Sequence, residues 1–473
     1  MLSLRTKARP GAFRVLPALA AVALGWTGCS TYEAKPIDRA SVDKALEAAP
    51  LESIKVEAAR IKHPLLAPVV IDGGGGFTPE EIAVMVVIVS PDLRALRDQR
   101  GVAEAQVLQA GILPNPQLGY SVDRPRGAYD PAVVAAKSLG LTWEVTSLLA
   151  HHDRVAAARA GAKSVDLSIA WQEWQAAQDA RLRAYRILSL QRRLPLARSV
   201  EELLADTVEL SRKAVSRGLR TTSDLTTATD AWTQAQNTRF DLEQQLSSER
   251  AALNLSLAMP PATVVALKAP PRAGFSGAAT PADAAALSDG LEERRLDLIA
   301  LRLGYESQES SLRAAVLAQF PRIGLGLNKT NDTTPIYTRG AAVTVDLPLF
   351  DRNQGQVAVG KATRQQLFDE YVARVAEARS QVSQALVGLS VVNAQLSTVA
   401  SSLPDLRRLV AANEEAGRSR NADELAYRDA KAALAGRLME QDLLEQQRAE
   451  LEVALEIATG RPSLNTSPPT GTL

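Results

Sequence analysis

Four short stretches of this chain alternate strictly between apolar and polar residues. Leu118, Tyr120 and Val122 are separated by Gln117, Gly119, Ser121 and Asp123. Leu139, Leu141, Trp143 and Val145 alternate with Thr142 and Glu144. Ile323, Leu325 and Leu327 stand between Arg322 and Asn328, and Ala341, Val343, Val345 and Leu347 between Ala342, Thr344 and Asp346. A period of two predicts strands with one apolar and one polar side, grouped as hairpins over 117–147 and 322–347. Pro348 ends the last ladder because it has no N–H to give.

Between these stretches the apolar residues recur at helical spacing. A pattern from Leu149 to about Ser216 predicts a helix about 100 Å long at 1.5 Å per residue. Gly218 ends it, and Thr221, Thr222 and Ser223 offer caps for a return helix. Leu225, Trp232, Leu246 and Leu253 keep seven-residue steps there, with Ala228, Ala235 and Leu242 between them, which is a coiled-coil seam. A second long helix is predicted from about Gly355 to Ala416, on Val382, Leu386, Leu389, Leu396, Val399, Leu403, Leu406 and Val410. A tip at Gly417 to Ala422 and a return helix to about Ala458 follow. Pro195 and Pro404 lie inside these patterns, where kinks or breaks are expected. Upstream, Thr78-Pro79-Glu80-Glu81 is a capping-box start. Helical segments follow it to Ser90-Pro91 and from Asp92 to about Ala110, although Val84 to Val89 alone would favour a strand.

The plan occurs twice. Glu144 aligns with Asp346, 202 positions on (346 − 144), and Leu141, Trp143 and Leu148 then fall on Val343, Val345 and Phe350. Each hairpin begins behind a proline, Pro116 or Pro321. The repeated unit is helix–strand–strand–helix. This divides the chain into a leader at 1–28, an extended segment at 29–77, a first repeat at 78–258, a linker at 259–290, a second repeat at 291–458, whose first helix is predicted over 291–317, and a tail at 459–473. The fold class is mainly α with a small β part. Four strands cannot close a barrel alone, since two unpaired edges would remain, which lipid does not tolerate. Several copies must share one barrel, and three copies would give twelve strands, an even number in the known range.

Composition agrees with long helices. Aromatic residues are 4% and charged residues 23% of 473, so close helix packing is favoured over a thick core. The formal net charge is +1, which implies no general attraction to nucleic acid. The single cysteine, Cys29, rules out an intramolecular disulfide. Arg5, Lys7, Arg9 and Arg14, then the apolar run Val15 to Gly25, read as a secretory signal, and no later run reaches 18 apolar residues. Gly28-Cys29 has the form of a bacterial lipobox, with Trp26 at the position that usually holds Leu, so Cys29 is the candidate lipidation site.

Catalytic signals are absent, and an enzyme is not expected. Gly73 to Gly76 lacks the Gly-Lys-Ser/Thr of a phosphate loop and reads as a linker. His151-His152-Asp153 tempts a metal reading, but adjacent helical side chains diverge by about 100°. No metal, cofactor or nucleotide site is therefore expected.

The segments AGILPNPQLGYS (110–121), AQFPRIGLGL (318–327) and VDLPLFDRNQGQ (345–356), with the helical pair at 76–106, resemble the TolC family of outer-membrane efflux proteins. The likeness spans roughly Phe77 to Gly460. The first copy departs from it, having Ser147-Leu148-Leu149-Ala150 in this region and no counterpart of the Pro-Leu-Phe-Asp run at 348–351. The resemblance implies a homotrimeric exit duct in the outer membrane, extending into the periplasm as an α-barrel and a 12-stranded β-barrel. It implies docking on a periplasmic adaptor and an inner-membrane pump of the resistance-nodulation-division type, with efflux of small solutes or metal ions. The competing reading is a periplasmic coiled-coil adaptor, but that would carry one helical hairpin between β-rich domains, and this chain has two. Asp123, Thr142, Glu144, Arg322, Thr344 and Asp346 are expected to face the barrel lumen. A periplasmic gate is expected at the second tip, from Glu414, Glu415, Arg418, Arg420, Asp423 and Glu424. The first tip, around Arg217 and Arg220, is expected to face the adaptor.

Overall fold

The computed structural model describes residues 31–47, 49–127, 132–269, 280–334, 336–418 and 424–461. The chain divides into two units, 1–47 and 48–473. In the first, helix α1 (Arg39–Ala45) is capped by the Asp38 carboxylate, which accepts from the Ser41 N–H at 2.7 Å. The second begins with α2 (Leu51–Ala58), α3 (Pro79–Val89) and α4 (Pro91–Gly111). Then come β1 (Gln117–Asp123), β2 (Ala136–Glu144), α5 (His151–Ser216) and α6 (Thr222–Ser256). After short turns at 281–294 follow α7 (Leu296–Leu317), β3 (Arg322–Asn331), β4 (Tyr337–Asp346), α8 (Gln354–Arg418) and α9 (Glu424–Thr459). The offset of 202 (346 − 144) carries α5 and α6 onto α8 and α9 to within one residue at every end, so the duplication extends through both helical hairpins.

The helices form where caps and buried faces agree. Thr78 and Glu81 make the reciprocal capping box at the start of α3. The β-branched run after it is helical because α3 is buried nearly all round, a condition in which packing overrides strand propensity. Its Ile82, Met85 and Val86 pack with Ile187 and Leu190 of α5 and with Leu242, Leu246 and Leu253 of α6. In α8 the residues Val382, Leu386, Leu389, Val399 and Leu403 are buried, whereas Leu396, Leu406 and Val410 are half-buried. Along α5 and α7, Ser164 Oγ donates to Ala300 O at 2.7 Å and Ser307 Oγ to Ala157 O at 2.8 Å. These bonds, with Gly161 and Gly304, let the two backbones approach closely.

Two expectations change, and one narrows. Of the kinks or breaks expected at Pro195 and Pro404, the breaks are absent, since α5 and α8 are continuous through both prolines. Both prolines lie on exposed faces, where water can bond the carbonyl that the ring leaves unpaired. The helix expected over 291–317 breaks at Arg295, which has extended ψ. Arg295 is buried, paired with Asp297 at 2.7 Å, bonded to Gln381 and Ala458 O, and stacked over Trp171 at 4.9 Å. Leaving the helix lets one guanidinium tie α5, α7, α8 and α9 together.

The segment 29–77 is also more than an extended tether. Ile54, Ala58, Leu65 and Ile71 are buried in the helical core. Phe77 makes a parallel bridge to Leu267, and a Cβ at Gly76 would lie 2.9 Å from Ala266 O, so the glycine there permits the crossing. His63 clamps the middle of the segment. Its Nδ1 accepts from Leu65 N–H at 3.0 Å, and its Nε2 lies 3.0 Å from Ala170 O, which fixes Nε2 as the protonated nitrogen. Glu173 lies 3.7 Å away and is itself paired with Arg97, which also donates to Val87 O.

Burial lowers the His63 pKa from 6.5, against the raising effects of the Ala170 carbonyl and Glu173. The unfolded chain therefore takes up a proton on His63 before the fold does. The clamp's contribution is complete above the unfolded value and is lost as pH falls below it. The protection factor of the Leu65 amide should drop between about pH 7 and about pH 5. An unchanged factor would contradict this account of the clamp.

Candidate functional site

The four strands form one antiparallel sheet in the order β1-β2-β3-β4. The β2–β3 pairing joins the two repeats, with Leu141 opposite Leu327 and Trp143 opposite Leu325. The register sorts the side chains onto two faces. One face carries Leu118, Tyr120, Val122, Leu139, Leu141, Trp143, Ile323, Leu325, Leu327, Val343 and Val345. Most of these are exposed in the isolated chain, Leu118 by 70% and Val343 by 67%, and a contiguous apolar surface of this kind marks contact with a partner or a membrane. The other face carries Gln117, Asp123, Thr142, Glu144, Arg322, Asn328, Thr344 and Asp346, with Arg322 directly opposite Asp346. Asp123, Thr142, Glu144, Arg322, Thr344 and Asp346 thus lie on one face of the sheet.

The sheet is fastened to the helices at one end. Trp143 Nε1 donates to Pro114 O at 2.8 Å, Glu144 accepts from Ser147 N–H at 2.9 Å, and Ile323 N–H donates to Thr146 Oγ1 at 2.6 Å. The described residues that follow β1 and β3, 124–127 and 332–334, lie at the opposite end. Among the described residues no strand pairs with the outer edge of β1 or of β4. Two rows of backbone donors and acceptors are left open, one at each side of a sheet that is apolar on one face.

At the far end of the helices, the first tip turns through Gly218 at φ 68°, with Leu219 N–H returning to Ala214 O at 2.9 Å. Thr221 and Asp224 then cap α6 reciprocally. The Asp224 carboxyl is held below its usual range by the Thr221 backbone and hydroxyl. Arg217, Leu219 and Arg220 are exposed there. At the second tip, Arg420 and Asp423 and the side chain of Arg418 lie outside the described residues. Glu414 and Glu415 are exposed in the last turns of α8, and Glu424 opens α9.

A residue outside the expected set links the two tips. Arg428, one turn into α9, donates to Asp206 of α5 at 2.7 Å and pairs with Glu424 at 2.9 Å. The Asp206 bond, and after it Glu424, raise its pKa, so it stays charged at any working pH. The bond is the last rung of a ladder between α5 and α9, after Arg181–Glu456, Arg186–Glu450 and Arg192–Asp442, each at 2.7 Å. In those three the arginine sits on α5, and at the tip the polarity reverses. The Glu424-to-Arg428 spacing is visible in sequence as an i,i+4 pair, but Asp206 lies 222 residues away, and nothing local announces it.

His151 bonds Gly111 O at 3.1 Å, His152 is 92% exposed, and among the described residues no group of three or more of His, Cys, Asp and Glu could hold a metal.

Residues 287–461, the whole of the second repeat, match the family model described as outer membrane efflux protein. That segment is similar to the outer membrane efflux proteins. No curated protein sequence matches it. Solved structures do. The CmeC outer membrane channel of Campylobacter jejuni is 13% identical with a TM-score of 0.63, covering 92% of this chain and 94% of that one. The outer membrane protein VceC of Vibrio cholerae is 15% identical, TM-score 0.61, covering 81% and 96%. The open state of the Neisseria gonorrhoeae MtrE outer membrane channel is 15% identical, TM-score 0.58, covering 92% and 98%. At these identities the likeness is one of fold. It extends over both repeats of the chain, including the one that the family model does not reach.

Proposed function

We propose that three copies of this chain form an exit duct of a tripartite efflux system, spanning the outer membrane by a shared barrel and reaching through the periplasm as a ring of helical hairpins. The observation that carries this reading is the two-faced, four-stranded sheet with both edges open, mounted on helices about 100 Å long. Lipid demands closure, and pairing β1 of one copy with β4 of the next closes the sheet without a free edge. Three copies give an even, twelve-stranded barrel. The apolar face then meets lipid, and Asp123, Thr142, Glu144, Arg322, Thr344 and Asp346 line the lumen. An adaptor has no use for such a sheet.

The helices support the same assembly. Helix α8 contains an 18-residue window of mean hydropathy 1.4 of which 28% is buried. Its Val387 and Val391 are exposed, and so is Phe240 of α6. Neighbouring copies cover these residues in the ring. The tips narrow the periplasmic mouth, with Glu414, Glu415, Arg418, Arg420, Asp423 and Glu424 at the second tip and Asp206–Arg428 as the latch that holds α9 against α5. A periplasmic adaptor engages the tips and competes for the latch. An inner-membrane pump supplies energy, and the duct does no chemistry of its own.

The test is covalent closure. In a Cys29→Ser background, one cysteine placed at Tyr120 on β1 and another at successive positions of β4 should give cross-linked ladders that end at three copies. Links confined to one chain, or ladders that run past three, would contradict the ring.

Cys29 lies outside the described residues. We propose that it is lipid-modified and that the barrel, not the lipid, holds the protein in the membrane. Lipid adds affinity with each buried methylene, but a closed barrel suffices without it. Cys29→Ser should abolish acyl labelling and leave the trimers membrane-bound. A mature protein that retains residues upstream of Cys29 would exclude the modification.

A further inference from the structure

The membrane-facing side of the sheet is not apolar to its end. Cross-strand partners define rows across it. Two full rows near the turns read Tyr120–Leu139–Lys329–Arg339 and Val122–Lys137–Asn331–Tyr337. The rows nearer the helices are wholly apolar, as in Leu118–Leu141–Leu327–Ala341. Lys329 and Arg339 are directly paired across β3 and β4, and Lys137 sits diagonally beside Lys329. Like charges opposite one another in a sheet are destabilising unless something neutralises them. All three side chains are exposed and make no ion pair or side-chain hydrogen bond with the described residues. The strands place no Asp or Glu on this face, and their carboxylates Asp123, Glu144 and Asp346 all lie on the other. Asp332, in the nearby turn, has its carboxylate taken by Thr333 N–H at 2.6 Å.

The end of the barrel that carries the turns lies away from the helices. On the exit-duct reading, on which this inference rests, that end is in the outer leaflet. We propose that Lys137, Lys329 and Arg339 form a docking surface for the phosphorylated headgroup of an outer-leaflet lipid, one per subunit. Tyr120, 66% exposed, and Tyr337, 72% exposed, sit in the same two rows, at the level where amphipathic rings meet headgroups. A phosphate there neutralises the Lys329–Arg339 repulsion, with the guanidinium as a two-pronged donor and the lysines as point charges. The acyl chains of the same lipid lie along the apolar rows below. A free phosphate lacks that second contact, so the surface suits a lipid better than a soluble anion.

The experiment titrates the purified trimer in detergent with diphosphorylated lipid A, with the same lipid stripped of its phosphates, and with inorganic phosphate, and reads bound lipid by native mass spectrometry. The wild type should bind the phosphorylated lipid at least about tenfold more tightly than the stripped one. Millimolar inorganic phosphate should not displace it. The K137Q/K329Q/R339Q variant should lose the preference while remaining a trimer, and R339Q alone, which disturbs the sheet less, should lose part of it. Arg322→Gln, on the opposite face, should keep it. Equal wild-type affinity for the two lipids, a preference that survives the triple variant, or full displacement by phosphate overturns the inference and leaves the duct standing. A protein that forms no trimer and does not insert into bilayers overturns both.

Discussion

Replacing Arg428 by serine should raise the open-channel conductance of the isolated trimer and abolish much of its closed time. Arg428 holds α9 to α5 near the tip, through Asp206, and it also pairs with Glu424. Its own side chain is 18% exposed and that of Asp206 66%, so solvent screens each bond. One such pair contributes about 0.5–1 kcal/mol. Three copies around one mouth contribute about 1.5–3 kcal/mol, which shifts the open population roughly ten- to a hundredfold. Asp206→Asn should act in the same direction, and Glu424→Ala less strongly, because it leaves the Asp206 bond. High salt should mimic the variants in part, since exposed pairs are screened at short Debye length. If Arg428→Ser and Asp206→Asn leave conductance unchanged while Arg322 and Asp346 variants alter it, the constriction lies in the barrel and not at the tips.

A charge on the apolar face of the sheet should cost more than any single change at the tips. Leu141 lies in the apolar row with Leu118, Leu327 and Ala341, clear of the lysines at the turn end. Leu141→Arg should cost about 2–4 kcal/mol per subunit at mid-bilayer, enough to remove most folded trimer from the membrane. Thr142→Arg, one residue on and on the other face, should be tolerated and should alter ion selectivity instead. Membrane-fraction yield and unfolding in lipid measure the first, and reversal potentials the second. Cysteines at Leu141 and Val343 should resist impermeant aqueous thiol reagents that label cysteines at Thr142 and Thr344. Equal labelling at all four would contradict the face assignment.

Much of this was legible before any coordinates. The alternation in the strands fixes which residues share a face, because a one-residue slip would invert every side chain. The duplication at Glu144 and Asp346 was visible in the hairpins and extends unchanged to the helix ends. What resisted reading depends on contacts between distant segments. The Asp206–Arg428 latch spans both repeats. Arg295 breaks a periodic helix because four helices converge on its guanidinium. The glycine run at 73–76 reads as a linker in sequence, and its packing role comes from Ala266, which passes 2.9 Å from where a Gly76 side chain would be. Pro195 and Pro404 look like breaks, since sequence does not show that they lie on the exposed side of an otherwise packed helix. The basic rows at Lys137, Lys329 and Arg339 appear only once the register brings three strands together.

The central claim is that copies of this chain close one water-filled barrel. Purified protein added to a planar lipid bilayer tests it most directly. The account predicts discrete, uniform conductance steps carried by an assembly of three chains, larger and longer-lived in Arg428→Ser. Protein that remains monomeric, or that inserts and carries no current even with Arg428 replaced, would contradict it.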